Sequence, residues 1–204
     1  GAANGARGDG RLRRTAPSGD ERPDEFVDDP TRPFVPVHTI MQGTAVAFDL
    51  SERAADANTL VYRGDALEAP LTVVGEPDAQ LHVAADVTDA DVFVWLAEQR
   101  EDGALVRLSS GQLRLRYRDG FDAQRLLTPD APVAIRVPMT YVAHRIPAGS
   151  RLVLLISGSH FPAFDPNPHT GEPIADAVDL RPAIQQVFHD ADRASRVVLP
   201  LLNR

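Results

Sequence analysis

At 204 residues and 43% hydrophobic content, the chain can bury one substantial core, which excludes a wholly disordered protein. A formal charge of -8 argues against the broad basic face that nucleic-acid binding needs, and zero cysteines exclude disulfides, thiolate zinc sites and cysteine nucleophiles. No apolar run approaches the roughly 18 residues that cross a bilayer, and no secretory leader pattern opens the chain, so neither nucleic acid nor a membrane is expected as a partner. The chain starts with Gly1, not Met, which sets the expectation of a polypeptide processed, tagged or cut from a longer one, with any address signal upstream. Residues 1–36 are rich in Gly, Pro, Arg and Asp, with Pro17, Pro23, Pro30, Pro33 and Pro36 in the second part. Proline has no amide donor and a fixed φ, so the segment is expected to run extended as a lead-in rather than form ladders, anchored by Leu12, Phe26, Val27 and Phe34. It should pack on the domain formed by 37–204 or on a partner domain. Ser51 to Asn58 reads as a short helix.

From about Thr59 the apolar period becomes two. Leu71 and Val73 alternate ahead of a Gly75-Glu76-Pro77-Asp78 turn, and Ala79, Leu81, Val83 and Ala85 follow. Val92, Val94 and Leu96 face one way while Phe93, Trp95 and Ala97 face the other, as in a strand buried on both faces. Asp102-Gly103 turns the chain into two further strands, one through Ala104, Val106 and Leu108, the next through Leu113, Leu115 and Tyr117 with Arg114, Arg116 and Arg118 opposed. Val133 to Val137, Leu152 to Ile156 and Val197 to Leu201 complete about eight short strands, with 183–188 read as a turn or two of helix. The pattern predicts an all-β fold, an antiparallel sandwich or jelly roll. Arg107 and the three alternating arginines are read as a solvated sheet face or interdomain contact in preference to a nucleic-acid patch.

Chemistry is sparse. The G-x-S-x-G turn that holds a hydrolase serine does not occur, and Gly158-Ser159-His160 has no helical pattern after it. Ser157, Ser159, His160, His189 and Asp190 are read as unconnected, not as a triad, and no catalytic residue is assigned. The segment 160–172 concentrates polar groups. Asp165, Asn167 and Glu172 are oxygen ligands of the kind calcium takes, but the spacing is not an EF-hand. An ordered loop is preferred, with Asp165, Asn167 and Thr170 bonding backbone while Phe161 and Phe164 plug into the core. No metal and no cofactor are expected. Trp95 reads as core; His38, His82 and His144 read as isolated surface or hydrogen-bonded residues.

Several stretches resemble the C-terminal domain of the X-Pro dipeptidyl-peptidase and cocaine esterase family of α/β serine hydrolases. They begin with Gly1-Ala2-Ala3-Asn4…Gly8-Asp9-Gly10-Arg11-Leu12 and Pro23-Asp24…Val27-Asp28-Asp29-Pro30 and continue with Leu60-Val61-Tyr62 and Leu67 to Gly75. Asp89-Ala90-Asp91-Val92-Phe93 and Arg114-Leu115-Arg116-Tyr117-Arg118 follow, and Ser195 to Pro200 resembles the last strand. The most specific is Ser157-Gly158-Ser159-His160-Phe161-Pro162…Phe164-Asp165…Asn167…Thr170-Gly171, in which His160 and His169 stand where the family commonly has asparagine. The resemblance implies a non-catalytic domain, an antiparallel jelly-roll β-sandwich of galactose-binding-like type, whose Ser-His-Asp triad lies upstream, with α/β-hydrolase and cap domains of the same polypeptide as partners; a homo-oligomer is a separate expectation. The signature residues Phe161, Pro162, Phe164, Asp165, Asn167, Thr170 and Gly171 are expected to form a structural loop. Val37, His38, Thr39, Ile40 and Met41 map onto a wall of the substrate pocket or, equally, onto a plug at one end of the sandwich. The alternative function is a free-standing carbohydrate-binding jelly-roll module, against which the 6% aromatic content and single tryptophan weigh; a third is a homo-oligomerisation domain.

Overall fold

The computed structural model describes residues 2–35 and 49–202. Val37, His38, Thr39, Ile40 and Met41 lie outside the described residues. A front sheet is built from β2 (Leu60–Arg63), β5 (Asp91–Gln99), β6 (Leu105–Arg114) and β9 (Arg151–Ser157), in the order β2-β9-β5-β6. The back sheet contains β1 (Asp24–Asp28), β4 (Asp78–Ala85), β7 (Val133–Pro138), β10 (Ala183–Phe188) and β11 (Arg196–Val198). Along one edge of β4 run β10 and then β11, β7 takes the other edge, and β1 closes the outside of β10. A small third sheet pairs β3 (Leu71–Gly75) with β8 (Val142–Ile146). Every pairing between these strands is antiparallel. The one α-helix among the described residues is α1 (Ser51–Ala55), inside the stretch where the sequence predicts it.

Front and back sheets face each other across the main core. Leu81, Val83, Ile135, Val137 and Val187 meet Val92, Val94, Leu96, Leu154 and Ile156 there. Strand period two sends the intervening residues, Phe93, Trp95, Ala97, Val153 and Leu155, to the opposite face. A second cluster covers that face with Leu50 and Ala54 of the α1 region. β5 is therefore buried on both sides from Asp91 to Glu98, as its sequence predicts. Each fully buried Leu, Ile, Val or Phe contributes about 1.5–3 kcal/mol, so the two clusters together dominate the stability of the fold.

Three local expectations are corrected. Residues 104–117 do not form two strands: β6 runs unbroken to Arg114, and Leu115–Tyr117 tighten into a 3-10 turn. The arginines at 114, 116 and 118 consequently share no strand face. Residues 183–188 are β10, because Ala183, Gln185 and Val187 all point inward with strand period. Within the proline-rich lead-in, Asp24–Asp28 does ladder, pairing Phe26 with Gln185 and alternating buried and exposed. It lies between the prolines, so all five of its amides are available. Leu60-Val61-Tyr62 itself forms most of β2 in the front sheet, and β8 leaves little mark in the sequence because His144 and Arg145 mask its alternation.

Candidate functional site

The signature loop meets the end of the front sheet at a buried polar cluster. Asp89, with no exposed surface, accepts from the Arg116 backbone N–H (3.1 Å) and from Arg116 Nε (2.9 Å). Arg116 Nη2 lies 2.8 Å from the same carboxylate and also donates to the Glu172 carbonyl at 3.0 Å. Two residues along, Asp91 takes a bidentate fork from Arg114, both contacts 2.7 Å. Burial raises the Asp91 pKa, partly offset by Arg114 and by a hydrogen bond from Asn167. Asn167 donates its Nδ2 to both carboxylates, at 2.8 Å each, and accepts the His169 amide at 2.9 Å. It can do so only as an amide: a carboxylate there would have no proton to share between two anions. Arg118 in turn donates to the Leu115 carbonyl at 3.0 Å and to the Arg125 carbonyl.

His169 continues the cluster from the other side. Its Nδ1 faces the Arg181 carbonyl and its Nε2 lies 3.1 Å from Asp28 Oδ2. A carbonyl oxygen and a carboxylate both need a donor, so a doubly protonated ring satisfies both contacts. Burial pulls the His169 pKa down, but the Asp28 hydrogen bond and charge outweigh it and the net shift is upward. Asp28 fills the space beside Gly158, where a Cβ would sit 2.4 Å from Asp28 Cγ. Gly171 ends the loop at φ +81°, a backbone that a side chain disfavours.

On the outward face of the front sheet sits a second cluster. Arg53 of α1, 3% exposed, lies 4.4 Å from the Trp95 ring centroid and 4.8 Å from that of Phe34. Its Nη1 donates to Ser157 Oγ and to the Ser159 carbonyl, both 3.1 Å, while Nη2 is buried without a hydrogen-bond partner. Burial lowers its pKa to about 10. His160 meets the Trp95 ring edge-on at 5.3 Å, and burial, with help from Arg53 and Arg107, pushes its pKa down to about 4. Phe164 tilts on Phe93 at 5.4 Å yet remains 40% exposed. The expectation that Phe164 plugs the core is thus corrected: it lies over Phe93, outside the two sheets.

The polar residues considered for catalysis are held apart. Ser157 Oγ donates to the Ser159 carbonyl while accepting from Arg53. His189 instead bridges Asp24 (2.9 Å) and Glu21 (3.3 Å), and the Asp24 hydrogen bond raises its pKa. Asp190 holds Arg193 and the amides of 192 and 193. At the far end of the front sheet, buried Glu98 accepts from Ser150 Oγ and contacts His144 Nε2, each at 2.8 Å. A carboxylate between serine and histidine is the wrong order to activate a nucleophile, because the base must touch the hydroxyl. Of the signature residues, Asn167 is buried, Thr170 accepts the Glu172 amide at 3.3 Å, and Pro162 and Asp165 are exposed. Trp95, 1% exposed, offers no free ring to a sugar. The sequence did not single out Arg53, because one arginine in a five-residue helix leaves no periodic mark.

Residues 1–198 match the family described as the X-Pro dipeptidyl-peptidase C-terminal non-catalytic domain. The cocaine esterase of Rhodococcus sp. (strain MB1 Bresler) is 29% identical over 213 residues, covering 100% of this chain and 36% of that protein. An aminopeptidase from a marine sediment Thaumarchaeota archaeon superposes with a TM-score of 0.88 at 28% identity, over 98% of this chain and 36% of its own. A selenomethionine-labelled α-amino acid ester hydrolase gives a TM-score of 0.89 at 26% identity, with coverage of 98% and 36%. The chain thus spans about a third of the length of each of these proteins.

Proposed function

Since the chain belongs to the X-Pro dipeptidyl-peptidase C-terminal non-catalytic domain family, we propose that it is the scaffold domain of a larger serine hydrolase and forms part of that enzyme's substrate pocket. The reaction is acyl transfer through a seryl ester, on esters, amides or X-Pro dipeptides, with the Ser-His-Asp triad and a cap in the upstream part of the polypeptide. Residues 1–36 form the joint, packing on the sandwich or on the hydrolase. The observation that carries this reading is the family match over 1–198 together with the 36% share of the relatives' length. The internal commitments of Ser157, His160 and His189 support it, since none of these groups is set to attack a carbonyl. Val37, His38, Thr39, Ile40 and Met41 supply the pocket wall. Support comes from their described neighbours: Phe34 stacks on Arg53, and Leu50 joins the Phe93 and Trp95 cluster, both on the outward face of the front sheet.

The test is direct. The 204-residue chain should hydrolyse p-nitrophenyl esters no faster than background, while the full reading frame turns them over. Changing Val37 or Ile40 to alanine in the full-length protein should alter KM among acyl groups of different size. Serine-dependent turnover by the 204-residue chain alone would overturn the proposal.

A further inference from the structure

We propose that β1 is a latched strand: His189 and His169, each doubly protonated, pin the carboxylates at its two ends, and loss of those protons lets β1 part from β10 while the rest of the sandwich stays folded. The device is independent of the function proposed above. β1 is the edge of the back sheet, with β10 as its ladder partner over five residues. Phe26 is the one apolar side chain it buries, since Val27 is exposed. No strand or helix occupies residues 12–23 or 29–35 on either side of it, so β1 can shift without dragging regular structure along. A strand held by so little backbone and core depends on its end contacts.

Those contacts are of one kind. At the first end, His189 Nε2 lies 2.9 Å from Asp24 Oδ2 and Nδ1 lies 3.3 Å from Glu21 Oε2. At the other, His169 Nε2 lies 3.1 Å from Asp28 Oδ2 and Nδ1 faces the Arg181 carbonyl. All four ring nitrogens thus face acceptors, and a neutral imidazole has one proton for two of them. The carboxylates of Asp29 and Asp91 add to the field at His169. Asp190, next to His189, is taken up by Arg193. Asp24 also accepts from the Ala3 amide (3.1 Å) and the Tyr62 hydroxyl (3.0 Å). Both are neutral donors, and burial raises the Tyr62 pKa well above its ordinary value, so neither titrates between pH 6 and 9. Against the effect of burial, the His189, Ala3 and Tyr62 hydrogen bonds hold Asp24 below the usual carboxylate range, and it stays ionised throughout. The pH dependence therefore belongs to the two histidines. The Asp24 hydrogen bond raises the His189 pKa against burial, and at His169 the downward pull of burial is outweighed by Asp28. Groups shifted upward hold fully below the unfolded value near 6.5 and let go as pH rises through the folded one.

Amide hydrogen exchange of the 204-residue chain at pH 6 and pH 9, corrected for the intrinsic effect of pH on exchange, tests the proposal. Protection of amides in 24–28 and of their partners in 183–187 should fall at least fivefold from pH 6 to pH 9. At pH 9 it should lie at least tenfold below that of β5, and the fall should track the ring-carbon titrations of His169 and His189 by NMR. A double variant, His169→Gln with His189→Gln, should exchange β1 fast already at pH 6 and change less than twofold by pH 9. β1 protection that is the same at both pH values, or that equals β5 protection at both, overturns the proposal. So does a fall that persists undiminished in the double variant. Should that variant fail to fold, the wild-type comparison of β1 with β5 decides alone.

Discussion

Asn167 should be the most sensitive single position in the signature loop. Its Nδ2 joins two carboxylates, Asp89 and Asp91, and its Oδ1 takes the His169 amide, all in a site that is 1% exposed. A hydrogen bond to a charged group contributes about 1.5–3 kcal/mol, so Asn167→Ala should cost about 3–5 kcal/mol in all. For a chain of this size that lowers Tm by about 10 °C or more. Asn167→Asp is nearly isosteric, yet it sets a third carboxylate against two others and should cost more than the alanine at pH 7. The added carboxyl would have a folded pKa raised above its unfolded value. Its penalty therefore grows as pH rises past the unfolded pKa and shrinks as pH falls towards 4. Urea unfolding of wild type, N167A and N167D at pH 7 and pH 4.5 measures all of this. An N167D variant as stable as wild type at pH 7, or a gap that widens on acidification, would refute the reasoning.

Other outcomes follow from the same structure. The His169 pKa is raised, so its contribution is complete below the unfolded value near 6.5 and is lost as pH rises through the folded one. His169→Asn should cost about 2 kcal/mol at pH 6 and visibly less at pH 9 in thermal melts. His160 has the opposite sign. With a pKa of about 4 it stays neutral when the unfolded chain is already protonated, so its contribution is lost as pH falls below about 6.5, and its ring carbons should titrate near 4 by NMR. Gly158→Ala forces a Cβ to within 2.4 Å of Asp28 Cγ and should destabilise by about 1–3 kcal/mol, losing in the same step the alkaline loss of stability that His169 confers.

The strands were legible wherever period two is undiluted. Val92 to Ala97 announced a strand covered on both sides because apolar residues occupy both phases, and the two core clusters bury one phase each. Period failed where polar side chains fill inward positions. Gln185 in β10 is 2% exposed and Asp24 and Asp28 in β1 are nearly as buried, which a pattern based on apolarity misreads. The arginines at 114, 116 and 118 misled for a related reason. Their alternation suggested one face, but Asp89 and Asp91 lie across the strand ends, and charge pairing across 23 and 27 residues leaves no local trace. The loop 160–171 was identified by its motif, and its anchoring by Asn167 needed coordinates, since the partners come from a distant turn.

The way the chain enters also has a mechanical consequence. Ala3 is fully enclosed; its amide is tied to Asp24 of the back sheet, and its carbonyl takes the Val61 amide of the front sheet. A pull on the N-terminal segment is therefore divided between the two layers at their shared rim and cannot peel one strand at a time. Stretched from that side, the sandwich should hold as a unit and yield in a single abrupt rupture.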